Sequence, residues 1–68
     1  MDLREYLFRK RKSLVEFSQE IKYERTYISS IIHGRNKPGR KFAEAVEVAT
    51  GGEVTYSEML NVYQERHM

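Results

Sequence analysis

Apolar residues recur at helical spacing in five stretches, separated by short polar breaks that hold the signals of helix ends. Leu3, Tyr6 and Leu7 fall at i, i+3, i+4. Asp2 and Glu5 lie at the end where a helix dipole favours negative charge, which predicts a first helix over about 2–10. Ser13, followed by Glu16, forms a capping box that satisfies two backbone donors reciprocally. Phe17 and Ile21 then share one face, predicting a second helix over 14–21. After the break at Lys22-Tyr23-Glu24, the stripe Tyr27, Ile28, Ile31, Ile32 predicts a third helix over 25–33. Gly34 supplies the left-handed residue that stops it. Pro38 marks the loop before a fourth helix over 40–50, whose core stripe is Phe42, Ala45, Val46 and Ala49 and which ends at Gly51-Gly52. Thr55 and Glu58 make a second capping box, opening a last helix over 56–63 with Met59, Leu60, Val62 and Tyr63 apolar. The pattern predicts a single all-α domain of five helices over residues 1–68.

Composition narrows what such a domain is able to do. At 68 residues the chain is near the lower limit for a self-sufficient core. It has no cysteine, so neither a disulfide nor a thiolate metal site is expected, and the core must come from apolar packing or a partner subunit. Nothing resembles a secretory signal or a membrane span. A cytoplasmic protein without cofactor or metal is the expectation. With 32% charged residues the chain would suit disorder, but the periodic Leu, Ile, Val and Phe positions argue for a fold.

The net charge of +2 hides a strong polarity. Residues 1–41 carry eleven Lys or Arg against five acids, whereas residues 42–68 carry one base, Arg66, against five acids. A chain so divided is expected to offer an electropositive face to a polyanion. Taken alone, the cations would equally suit an ordinary solvated surface. Set beside two short helices joined by a tight turn, they favour nucleic acid.

The ordered set Ser13, Glu16, Phe17, Ser18, Gln19, Ile21, Ile28, Ile31, Gly34 and Arg35, followed by the Pro38 helix and the segment ATGGEVTYSEML, resembles the phage repressor/Cro-type helix-turn-helix family, also called the xenobiotic-response-element type. The resemblance covers about Leu3 to Leu60. It implies a compact five-helix, lambda-repressor-like domain with the helix-turn-helix at helices two and three. Ser18 matches the small residue where those helices cross, and Ile21 and Ile28 match the apolar pair bracketing the turn. Three positions depart from the family. Lys22 stands where the family usually has Gly, and the left-handed conformation that site needs would cost a lysine roughly 1 kcal/mol. Glu24 stands where it favours a Ser or Thr cap. Leu7 and Ile32 stand where it often has a buried Arg–Glu pair, and replacing both partners together is readily tolerated, so a Leu7–Ile32 contact is expected.

The resemblance also implies where double-stranded DNA would be held. Base-facing candidates are Arg25, Thr26 and Ser30, with Tyr27 beside them. Arg25 leads because a guanidinium pairs bidentately with guanine O6 and N7. A surface ion pair with Glu24 or Glu20 is the plainer alternative for Arg25. Phosphate candidates are Gln19, which matches a helix-two position, and Arg35, Lys37, Arg40 and Lys41 around the loop after helix three. Such contacts supply affinity and register without reading sequence. His33 would either donate to a phosphate or simply cap its helix.

Catalytic motifs are missing from the sequence, and His33 and His67 have no evident acid or nucleophile partner, so a non-enzymatic role is expected. The expected function is a transcriptional regulator, such as a repressor, that inserts helix three into the major groove of an operator. It would act as a homodimer on a two-fold site. The surplus apolar residues Met59, Leu60, Val62 and Tyr63 are the natural dimer contact, though at least two of them are expected in the core. The alternative is a protein-interaction module, an antitoxin or adaptor, that keeps the fold without reading DNA; Lys22 and Glu24 in the turn favour it.

Overall fold

Three of the helix starts follow directly from side-chain caps. In the computed structural model, which describes residues 1–67, α1 (Leu3–Arg9) begins where the Asp2 carboxylate accepts the Glu5 N–H. The predicted capping boxes open α2 (Leu14–Ile21) at Ser13–Glu16 and α5 (Tyr56–Arg66) at Thr55–Glu58, with all four reciprocal bonds made. Between them lie α3 (Arg25–Ile32) and α4 (Arg40–Ala49). The described residues contain these five helices and no strand. Residue 68, the last of the expected domain, lies outside them. No helix among them is long and apolar enough to cross a membrane.

Helix ends are equally regular. After α1, α3 and α4 the chain closes with the paired backbone bonds of a Schellman motif: Lys12 N–H to Leu7 O, Arg35 N–H to Ser30 O, and Gly52 N–H to Glu47 O. Gly34 and Gly51 supply the left-handed residue in two of these, at φ 71° and 62°. Gly52 follows at φ 84°, and the two left-handed positions not held by glycine are filled by cations. Lys22 has φ 59° and ψ 42° after α2, the conformation expected for it, and Arg11 has φ 55° after α1. The α5 boundary needs correction: the helix runs to Arg66, because Gln64, Glu65 and Arg66 are good helix formers with no breaker among them.

The stripes converge on one core. Phe17, Phe42, Ile28, Ile31, Met59, Val46 and Val54 are fully buried, each contributing roughly 1.5–3 kcal/mol of burial. Leu3, Tyr6 and Leu7 bring α1 onto this core, and Tyr6 meets Phe17 edge-on at 6.4 Å. Leu7 belongs to the core and Ile32 packs at its margin. The buried hydroxyl of Thr50 donates to Val46 O at 2.8 Å and accepts Val54 N–H at 3.2 Å, which ties the end of α4 to the following loop. Among the four apolar α5 residues expected to divide between core and dimer contact, Met59 is core while Leu60, Val62 and Tyr63 are half-buried. The exposed large apolar side chains lie elsewhere, at Phe8, Val15 and Val48.

Candidate nucleic-acid interface

Two helices break the capping pattern of the other three. Neither α3, whose N-cap is Glu24, nor α4, whose N-cap is Gly39, is capped by a hydrogen bond from the side chain of its N-cap residue. Cations begin both: Arg25 is the first residue of α3, and Arg40 and Lys41 are the first two of α4. A positive side chain at the positive end of a helix dipole is unfavourable unless an anion arrives.

The same stretch is electrostatically uncompensated. Residues 22–41 carry Lys22, Arg25, Arg35, Lys37, Arg40 and Lys41 against one acid, Glu24. All six cations are exposed, and none forms an ion pair among the described residues. Arg25 pairs with neither Glu24 nor Glu20 among the described residues, and Glu20 is held by Lys12 at 2.8 Å. That bond to Glu20 raises the Lys12 pKa above the ordinary lysine value. The paired side-chain cations are Arg9, Lys10 and Lys12, at the end of α1 and in the link to α2. Positive charge is partly neutralised there, Arg4 and Arg11 being left unpaired among the described residues, and is left open along α3, the loop and the start of α4.

The predicted base-facing residues divide into two groups. Arg25 and Thr26 are exposed on the first turn of α3. Tyr27 is half-buried: its ring stacks on Tyr23 at 5.9 Å and meets Phe42 edge-on at 5.0 Å, and its hydroxyl accepts the Gly39 N–H at 3.4 Å. It fastens α3 to the start of α4. Ser30 is also tied to its own fold. Its half-buried hydroxyl donates to Tyr27 O at 2.6 Å and accepts from Asn36 Nδ2 at 2.9 Å, so both its hydrogen and one lone pair are committed inside the protein.

Among the phosphate candidates, Arg35, Lys37, Arg40 and Lys41 stand together in sequence on the exposed loop and first turn of α4. Pro38 is buried between them and anchors the loop. Gln19 stands apart, exposed in the second half of α2 and away from that helix's N-terminus. The His33 Nδ1 hydrogen-bonds the Ser29 carbonyl at 2.8 Å, which is the capping role. The reading of the sequence missed Asn36 and Arg11. Asn36 was hidden because its partner Ser30 is six residues away. The clue for Arg11 was the short link between α1 and the Ser13 cap, which forces a left-handed residue.

The described residues hold no group of three or more His, Asp or Glu placed to bind a metal ion. Comparison of the chain with protein-family models, with curated proteins and with solved structures gave no match.

Proposed function

We propose that this chain is a sequence-specific double-stranded DNA-binding regulator with a lambda-repressor-like arrangement. In it α2 and α3 form the helix-turn-helix, and α3 enters the major groove. The observation that carries this reading is the run of six exposed, unpaired cations from Lys22 to Lys41, placed around α3 and the uncapped start of α4. Phosphate oxygens would complete both helix N-termini and neutralise Arg35, Lys37, Arg40 and Lys41 together. Arg25 and Thr26 supply the groups able to read base edges. The role is occupancy of a site, not catalysis.

A domain this small covers little DNA, so two copies on a two-fold site would provide the affinity and specificity of an operator complex. Leu60, Val62 and Tyr63 remain the proposed contact between them. A second reading, a protein-interaction module, draws on Phe8 and Val48, which are 84% and 83% exposed. Selection of bound duplexes from a random pool separates the two. Enrichment of a short motif supports the regulator, and recovery of the unselected pool supports the module.

A further inference from the structure

We propose that Asn36 reads a base, specifically an adenine, and that Ser30 serves as its positioning residue without touching DNA. The inference rests on the DNA-binding reading above.

Three hydrogen bonds converge on Ser30 from the loop. Its carbonyl accepts Arg35 N–H at 2.8 Å and Asn36 N–H at 3.4 Å, and its hydroxyl accepts from Asn36 Nδ2 at 2.9 Å. The hydroxyl is itself oriented by donating to Tyr27 O at 2.6 Å. A chain of bonds therefore runs from the α3 backbone through Ser30 to the Asn36 carboxamide and fixes an otherwise exposed side chain. One carboxamide hydrogen is used. The Oδ1 acceptor and the second hydrogen have no partner among the described residues.

The chemistry of that free pair selects its ligand. Phosphate oxygens only accept, so they leave an oriented Oδ1 without a donor. A base edge offers donor and acceptor together, and the adenine N6 and N7 pair matches a carboxamide in the major groove. Arg35 and Lys37 flank Asn36 in sequence and already provide for phosphate. Asn36 is the one side chain of the 35–37 segment that carries an acceptor, and it is the one held in place.

The test is selection from a random duplex pool with the full chain and with N36A, N36D and S30A, alongside binding to one random duplex. Wild type is expected to show one position preferring adenine. N36A should flatten that position by roughly 5- to 150-fold, the range of one bidentate contact, with random-duplex binding and salt dependence unchanged. N36D cannot donate to Ser30 Oγ and so loses the anchor together with the donor for adenine N7; it should flatten the position as N36A does. S30A should weaken the adenine preference in part, because it frees the amide. A uniform loss on all duplexes with every preference intact would make Asn36 a structural residue and overturn the proposal. So would an N36A profile identical to wild type. Wild type failing to bind any duplex would overturn the DNA-binding reading itself, a result distinct from either.

Discussion

A Cβ placed on Gly34 would stand 2.9 Å from the Val62 carbonyl oxygen, so the end of α3 is pressed directly onto the α5 backbone. Arg66 reinforces this junction by donating to His33 O at 3.4 Å. Gly34 is therefore fixed twice, by its φ of 71° and by the lack of room. The junction sets the direction in which residues 35–37 leave α3.

Gly34→Ala should destabilise the fold by about 2–4 kcal/mol, combining the left-handed penalty with overpacking against backbone. Urea denaturation monitored by circular dichroism measures it. A loss below about 1 kcal/mol would mean that α5 yields freely at this point.

Lys22→Gly should stabilise the fold by about 0.5–1 kcal/mol, since relief of Cβ strain at φ 59° exceeds the added freedom of the unfolded chain. Arg11→Gly, at φ 55°, should behave alike. A fall in either urea midpoint would show that the side chain stabilises the turn by more than the strain it causes.

These positions mark the limits of what the sequence disclosed. Capping boxes at Ser13–Glu16 and Thr55–Glu58 were legible because both partners sit within one helical turn. Gly34 and Gly51 were legible because glycine itself signals a left-handed stop. Arg11 was not, since an arginine in that conformation leaves no mark except a short link between helices. The surroundings of Ser30 and Tyr27 were not legible for a different reason. Each is polar and lies on α3 near Arg25, but whether it faces outward depends on contacts with Asn36, Phe42 and Gly39. Those contacts exist only once Gly34 turns the chain back. The end of α5 was drawn at Tyr63 because the apolar stripe stops there, while the backbone continues through three polar helix formers.

The Glu58 carboxylate is held below the usual carboxylate range, first by the hydrogen bond from the Met1 ammonium and further by the Thr55 backbone and hydroxyl, against partial burial. Because its folded value lies below the unfolded one, its contribution is present above the ordinary Glu value and is lost as pH falls through the folded value. Glu58→Gln should therefore lower stability at neutral pH and flatten the loss of stability below about pH 4.3. Urea midpoints across the acid range test this. A variant curve parallel to wild type would show that the carboxylate charge is not used.

Arg25→Ala should weaken binding to a selected site by ~1–3 kcal/mol and relax the preference at one base pair. Fluorescence anisotropy on the selected duplex and on its single-base variants reads both effects. Equal losses on selected and random duplexes would place Arg25 on a phosphate.

The central claim is that the open cations from Lys22 to Lys41 hold the DNA backbone, and the dependence of binding on salt tests it most directly. Log affinity for a duplex should fall linearly with log salt concentration. Replacing Lys37 and Arg40 together by alanine should reduce the slope by about 2, close to one for each phosphate contact removed. A flat salt dependence in the wild-type chain, or a slope that the double variant leaves unchanged, would contradict the account.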